Sequence, residues 1–292
     1  MNQLQTKPKF SLAIQSVKYK NLINNTLGDP KRAAKFIASI SSAVGSNYQL
    51  QQCDAGSILT GALLGEALNL SPSPQLGQYY LVPFKTKAGT YVAQFQLGYK
   101  GYLQLAIRSG QYQDIDVVEI HEGEYLGRDK LTGKHKFEFI EDEISREKKP
   151  VIGYLAYFEY LNGFKKSLYW TKEKMKNHAL EYSQAYASDI KKKTKYSFWS
   201  KDFDGMAFKT MLRQLISKWG VMSTEMQEAF VKDQAVINED GNYDYIDSPE
   251  VDLEPIADTT TEGYEKDSNA GEVEIKKVDS KKAVKKVNLD EI

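Results

Sequence analysis

The chain is poor in the residues that covalent cross-links and metal sites require. Of its 292 residues one is cysteine, Cys53, and three are histidines, at positions 121, 135 and 178. A single cysteine excludes an internal disulfide framework and is typical of a reducing cytosol. The histidines are widely spaced and form no ligand pair at helical spacing. The sequence therefore predicts neither a disulfide-stabilised secreted fold nor a zinc site.

Long apolar runs and nucleotide-binding motifs are also missing. No stretch approaches the roughly 20 apolar residues that a membrane span needs, and residues 1–12 lack the pattern of a secretory signal. There is no G-x-x-x-x-G-K-[ST] loop and no G-x-G-x-x-G after a predicted strand. These absences argue against a membrane protein and an ATP-driven recombinase. We expect a cytoplasmic protein without a cofactor, and a magnesium requirement stays open.

The net charge of the chain is zero, but its charged residues are unevenly distributed. Lys and Arg total 39, as do Asp and Glu. Up to Lys232 there are 32 basic and 22 acidic residues, a net of +10, and from Asp233 onwards 7 and 17, a net of −10. A basic body with an acidic tail is a common layout in nucleic-acid-binding proteins. A merely solvated surface explains the same excess, so charge alone leaves both interpretations open.

Hydropathy patterns predict an α+β fold. Apolar residues at helical spacing predict helices at about 30–44, 54–67, 98–109, 171–182, 204–219 and 223–232. Alternating runs predict strands at 78–84, 91–97, 115–120, 137–140, 151–160 and 164–170. Asn162-Gly163 is a strong hairpin signal between the last two strands. We therefore expect a small antiparallel β-sheet packed with helices.

Three segments are expected along the chain. Residues 1–28 are polar and are predicted to form a flexible N-terminal arm, followed by a folded domain at 29–240. Residues 241–292 are acidic and then rich in lysine, with too few apolar residues to offset the entropy of ordering, so we expect a disordered tail. The tail is either an inert solubilising extension or a segment that competes with DNA or contacts a partner.

One predicted helix carries a row of polar and cationic side chains. Over residues 98–109, one face consists of Lys100, Gln104 and Arg108, each four residues apart. The neighbouring apolar stripe consists of Tyr99, Leu103 and Ile107. A row of donors suits a phosphate backbone, and glycines at the helix start let a backbone approach free amides. An ordinary amphipathic helix has the same spacing.

A second region interleaves cations with aromatic residues. Residues 191–199 contain four lysines, followed by Tyr196, Phe198 and Trp199. In the next predicted helix the buried stripe is expected to be Phe208, Leu212, Leu215 and Trp219, with Lys209 and Arg213 one step round. Single-strand binding uses charge for phosphates and flat rings for bases. Plain solvation explains a lysine-rich loop equally well.

Acidic residues form two groups, at 114–122 and 202–204. A metal-dependent nuclease would need such carboxylates. Helix caps and solvated strand positions are the favoured interpretation, because Asp202 and Asp204 precede a predicted helix, where an acceptor and a negative charge are stabilising.

Several segments occur in an order and at a spacing that match a known family. They are residues 78–84, the motif Gln94-Phe95-Gln96-Leu97-Gly98-Tyr99-Lys100-Gly101, residues 105–110, residues 201–210 around Asp-Phe-Asp-Gly-Met-Ala, and Lys218-Trp219. Together they span about 30–235 and resemble the RecT family of phage single-strand annealing proteins. The resemblance implies an annealing-protein fold in which residues 29–240 bind DNA and form oligomers. It also implies sequence-independent binding of single-stranded DNA and annealing without ATP, by rings or helical filaments.

The resemblance further implies partners and contacts. A partner exonuclease would supply the single strand, and the tail would contact the host single-strand-binding protein. A groove for DNA is expected from Lys100, Gln104, Arg108, Lys209 and Arg213. Uncharged donors are expected at Gln94 and Gln96, stacking at Tyr99 or Trp199, and further contacts at Lys201 and Thr210. No catalytic residue is expected. The alternatives are a non-annealing single-strand-binding protein, a nuclease built on Asp114, Asp116 and Glu119, and a scaffold protein that oligomerises without DNA.

Overall fold

The computed structural model describes residues 10–86 and 89–244. Almost all of the predicted tail, 241–292, and the first nine residues of the predicted arm lie outside these ranges. The described helices are α1 (Phe10–Ala13), α2 (Val17–Leu27), α3 (Pro30–Gly45), α4 (Ala55–Ala67), α5 (Tyr99–Arg108), α6 (Glu143–Glu147), α7 (Lys172–Tyr182), α8 (Gln184–Lys192), α9 (Phe198–Lys201), α10 (Phe203–Trp219) and α11 (Thr224–Lys232).

The strands pair with one another in antiparallel fashion, which confirms the predicted α+β class. They are β1 (Tyr79–Lys85), β2 (Tyr91–Leu97), β3 (Tyr112–His121), β4 (Tyr125–Arg128), β5 (His135–Phe137), β6 (Val151–Tyr160), β7 (Lys165–Thr171), β8 (Val236–Ile237) and β9 (Tyr243–Asp244). The sheets are a three-stranded one in the order β3-β6-β7 and the pairs β1-β2, β4-β5 and β8-β9. The chain passes back along β2, where the Phe95 amide donates to the Ala235 carbonyl at 2.9 Å.

Helix α4 lies at the centre of the core. Its residues from Gly56 to Gly65 are all buried, as expected for a helix that is apolar on every side. A Cβ atom on Gly65 would lie 2.4 Å from the Tyr79 ring. That glycine therefore permits the close contact between α4 and the β1-β2 pair.

The segment before α3 also packs on the core. Ile14 and Ile23 are fully buried, and the Tyr19 hydroxyl donates to Glu239 at 3.1 Å. Lys18 forms an ion pair with the same carboxylate. The division of the chain at residues 28 and 240 stays a prediction. Within the described part of the chain, no helix is long and apolar enough to cross a membrane.

The predicted packing faces of two helices need correction. On α5 the buried residues are Gly101, Tyr102, Leu105 and Ala106, and Ile107, predicted to pack, is 58% exposed. On α10 the predicted Leu212 and Leu215 are buried, whereas Phe208 and Trp219 are half-buried. The buried face of α10 is broader than predicted and includes Lys209. Helical spacing predicts the direction in which the buried face of a helix points, but not how wide that face is. The width depends on how many elements pack against the helix.

Candidate nucleic-acid interface

A cleft of about 230 Å³ lies between β1, the junction of β2 with α5, and the segment from α9 to α10. Three aromatic side chains line it: Tyr80, Tyr99 and Phe198. The ring centroids of Tyr80 and Phe198 lie 5.9 Å apart. Polar lining comes from Gln96, Lys201 and Lys209. Four of the sequence-predicted site residues, Gln96, Tyr99, Lys201 and Lys209, thus meet in one place although the chain separates them by more than 100 positions.

Two glycines bring the walls of this cleft together. A Cβ atom on Gly98 would lie 2.1 Å from the Gly77 carbonyl oxygen, and one on Gly101 would lie 2.1 Å from the Gln78 carbonyl oxygen. Both contacts are far shorter than van der Waals separation, so a larger residue would displace the backbone. From the sequence, these glycines are expected to admit a DNA backbone to the helix start. The backbone that approaches them is the chain's own, at the entry to β1.

The predicted row on α5 faces solvent. Lys100, Gln104 and Arg108 are all exposed. Arg108 also has a structural contact, since its guanidinium donates to the Leu68 carbonyl oxygen at 2.8 Å. That carbonyl belongs to the C-terminal end of α4, where a positive charge is stabilising. Lys100 and Gln104 therefore present the part of the row that is most open to a ligand.

Lys209 and Arg213 have a different environment. Both donate to the buried carboxylate of Asp233, at 3.0 Å for Lys209 and 2.8 Å for Arg213. The Leu97 amide and the Tyr102 hydroxyl donate to the same carboxylate, at 2.8 and 2.9 Å. One carboxylate thus joins β2, α5, α10 and the end of α11. We call Asp233 and its four donors, Lys209, Arg213, Leu97 and Tyr102, the Asp233 cluster.

The charges of the cluster support one another. Burial opposes ionisation of Asp233, but Lys209 and Arg213 outweigh it and hold the pKa of this carboxyl below its usual range. Burial lowers the pKa of the Lys209 ammonium, and Asp233 opposes that change. Helical periodicity predicts an exposed basic edge for Lys209 and Arg213, whereas in the structure both pair with a buried carboxylate. That carboxylate belongs to Asp233, 24 residues after Lys209 and 20 after Arg213, and no local sequence pattern connects it to α10.

The two predicted glutamines are two residues apart on β2 and lie on the same face of the strand, but their exposure differs. Gln94 is buried, and its side chain donates to the Gln234 carbonyl oxygen at 2.6 Å. Gln96 donates to the Gln94 side chain at 2.7 Å and lines the cleft. Gln96 is therefore placed to meet a ligand, whereas Gln94 orients it from behind.

At the start of α9, the aromatic residue that lines the cleft is the neighbour of the one predicted. Trp199, predicted to stack with bases, is 7% exposed, and its ring packs on Phe203 with centroids 5.2 Å apart. Phe198, its neighbour, lines the cleft instead. Thr210 is likewise buried, and its hydroxyl donates to the Met206 carbonyl oxygen at 2.9 Å. Lys201 is exposed at the rim.

Asp189 organises the lysine-rich segment, and sequence reasoning missed it. Its buried carboxylate accepts from the Thr194 hydroxyl at 2.6 Å, the Ser197 amide at 2.7 Å and the Ser200 hydroxyl at 2.8 Å. Burial opposes ionisation, but these hydrogen bonds lower the pKa of Asp189 well below its usual range. Asp189 lies in α8, a helix that was predicted as loop. The available signal was Ser183, which caps α8 by accepting from the Tyr186 amide.

The acidic residues have structural roles where the structure describes them. Asp202 caps α10 by accepting from the Gly205 amide at 3.0 Å, which confirms the predicted cap. Asp204 accepts from the Tyr154 hydroxyl at 2.5 Å, and Asp114 from the Tyr157 hydroxyl at 3.1 Å. Over residues 10–86 and 89–244, no group of three or more His, Cys, Asp or Glu side chains is arranged to hold a metal ion.

The fold and the cleft together define a class of protein: an α+β domain that presents lysines and flat rings on one surface, as single-strand binding requires. The sequence model of the RecT family matches residues 34–249, which is about three quarters of the chain. The chain therefore belongs to the RecT family, and the resemblance predicted from its motifs is confirmed. Membership places it among the proteins of single-strand annealing in recombination, which bind single-stranded DNA and form oligomers.

Two relatives support this assignment. A protein of Bacillus subtilis strain 168, described as "Uncharacterized protein YqaK", is 42% identical over 230 residues, which cover 78% of this chain and 72% of the relative. Protein RecT of Escherichia coli strain K12 is 28% identical over 194 residues, which cover 63% of this chain and 65% of the relative.

Proposed function

We propose that this protein anneals complementary DNA strands without hydrolysing a nucleotide, as an oligomeric ring or filament in phage homologous recombination. The observation that carries the proposal is the cleft, where Tyr80, Tyr99 and Phe198 lie beside Lys201. Membership of the family supports annealing in general. Independence from ATP is supported by the absence of a phosphate-binding loop from the sequence.

The exposed side chains divide the work of holding a strand. Lys100 and Lys201 contact phosphates, neutralise their charge and relieve the repulsion between two strands, and Gln104 adds an uncharged donor. Arg108 adds charge while it ties α5 to α4. Base pairing supplies the sequence specificity, so the protein needs to align the first strand and keep most bases accessible. No bond is made or broken, so no step requires a catalytic residue.

Further partners follow from the same role. An exonuclease that resects duplex DNA would supply the single strand, and the acidic tail would contact the host single-strand-binding protein in the cytoplasm. Residues 241–292 contain 14 acidic and 7 basic residues, and this net charge of −7 supports a tail that is kept away from DNA.

The proposal is tested by adding two complementary fluorescent oligonucleotides to the protein one after the other, with no nucleotide present. We expect pairing to be much faster than in buffer, with the duplex product retained by the protein. Tight binding of the first strand without acceleration would instead identify a non-annealing single-strand-binding protein. Absence of binding at low salt would contradict the proposal altogether.

A further inference from the structure

The cleft has the size and lining of a site for one flat heterocycle. Its volume of about 230 Å³ is below the roughly 300–1,000 Å³ of pockets that enclose drug-sized ligands. Aromatic rings line it from three different elements: Tyr80 from β1, Tyr99 from α5 and Phe198 from α9. Aromatic rings pack favourably against other flat rings, in offset-stacked or edge-to-face arrangements.

The polar groups of the cleft are suited to the edge of such a ring. Gln96 and Lys209 both line it, and each is held by a contact behind the cleft: the Gln96 amide donates to Gln94, and the buried Lys209 ammonium donates to Asp233. A carboxamide offers both donors and an acceptor. Every nucleobase has ring nitrogens or carbonyl oxygens that accept hydrogen bonds, so the Gln96 side chain tolerates all four bases.

The rim of the cleft is suited to the phosphates on either side of a base. Lys201 is exposed at one part of the rim, and Lys100 follows Tyr99 at the start of α5. The carboxylate of Asp202 also lines the cleft. It accepts from the Gly205 amide at the start of α10, where the helix dipole compensates a negative charge.

We propose that the cleft receives one unstacked nucleobase of the bound strand in each subunit. This inference rests on the proposed function, because it specifies how that surface holds single-stranded DNA. The inserted base packs against the rings of Tyr80, Tyr99 and Phe198 and fixes the position of the strand on the subunit. The bases on either side remain outside the cleft, where a second strand can pair with them.

The test compares binding of an oligonucleotide with binding of an abasic deoxyribose-phosphate strand of the same length. The unaltered protein should bind the oligonucleotide more tightly, because stacking contributes affinity beyond that of the phosphates. Phe198→Ala should reduce that preference by about tenfold, within the range observed for base–aromatic stacking. Its affinity for the abasic strand should stay unchanged, which also shows that the variant is folded.

Tyr196→Ala is the matched control. Tyr196 lies two residues from Phe198 and is 77% exposed, but it does not line the cleft. We expect this variant to keep the preference for bases. An equal loss in both variants, or no loss in Phe198→Ala, would overturn the inference while leaving the proposed function intact. If the unaltered protein bound neither strand, the proposed function itself would fail.

A second measurement locates the base directly. Oligonucleotides that carry 5-iodouracil form covalent cross-links to nearby aromatic residues under ultraviolet light, and mass spectrometry identifies the linked peptides. We expect the links to concentrate on Tyr80, Tyr99 and Phe198. Links concentrated on other aromatic residues of a protein that binds the strand would place the bases outside the cleft and overturn the inference.

Discussion

Helices α5 and α10 both carry cations at helical spacing, and their surroundings differ. Lys100 and Gln104 on α5 are exposed, and Arg108 is exposed while it contacts the end of α4. On α10, Lys209 is buried, and it shares the Asp233 carboxylate with Arg213. A phosphate can approach the first set from solvent, whereas the charge of Lys209 is already compensated inside the protein.

The difference shows that a residue distant in sequence, here Asp233, can decide whether a cation stabilises the fold or is available to a ligand. A buried charge is costly unless it is paired and hydrogen-bonded, so Lys209 could not remain in place without Asp233. Because Lys209 also lines the cleft, the Asp233 cluster supports the interface from behind. Helix α5 thus contributes side chains that can contact DNA, whereas α10 supports the wall of the cleft. Substitutions that affect one of these roles and not the other test this difference.

The largest effect is expected from Asp233→Ala. The substitution leaves the Lys209 ammonium buried without its counter-charge and removes the acceptor for Leu97 and Tyr102. Breaking a buried ion pair on one side costs about 3–5 kcal/mol. Urea denaturation should therefore show a free energy of unfolding lower by about that amount, together with weaker binding of single-stranded DNA.

Glu228→Ala is the control for an ion pair at the surface. Glu228 pairs with Lys232 at 2.7 Å, four residues apart on α11, and is 44% exposed. Exposed pairs of this kind contribute less than about 1 kcal/mol. If Asp233→Ala lowered the free energy of unfolding no more than Glu228→Ala, the structural role of the cluster would be contradicted.

The exposure of the polar row on α5 could be predicted from the sequence, and the burial of Lys209 on α10 could not. Helical spacing put Lys100 and Gln104 on a common face, and both are exposed. The same reasoning applied to Lys209 failed to show its burial, because the counter-charge comes from Asp233, beyond another helix. Trp199 and Phe198 are adjacent aromatic residues, so no periodicity distinguishes the one that packs inward from the one that lines the cleft. Local pattern gives the phase of an element, and long-range packing decides what each face meets.

Asp189→Asn should have an intermediate effect. An amide offers a single acceptor oxygen and places N–H donors against the amides of Tyr196 and Ser197. We expect a smaller loss of unfolding free energy than in Asp233→Ala. Hydrogen exchange should become faster over residues 193–200, and affinity for single-stranded DNA should fall several-fold because Phe198 is no longer held at the cleft.

The stability difference between this variant and the unaltered protein should depend on pH. The folded pKa of Asp189 is lowered, so its contribution is fully present above the unfolded value of about 3.9 and is lost as the pH falls through the folded value. The difference in unfolding free energy should therefore be constant from pH 7 to pH 5 and shrink below about pH 4. A difference that grew on acidification would show that the carboxylate does not hold this segment.

The smallest effect on the fold is expected from Lys100→Ala, which tests whether the exposed row on α5 contacts DNA. Lys100 is exposed, so the free energy of unfolding should change by no more than about 0.5 kcal/mol. Affinity for single-stranded DNA should fall by a similar factor for every sequence, and the slope of log affinity against log salt should become shallower by about 0.7, the value for one phosphate contact. Lys35→Ala, at an exposed lysine of α3 outside the cleft, should leave that slope unchanged. An unchanged slope in Lys100→Ala would show that α5 does not contact the phosphates, and the proposed division between a binding helix and a supporting helix would then be wrong.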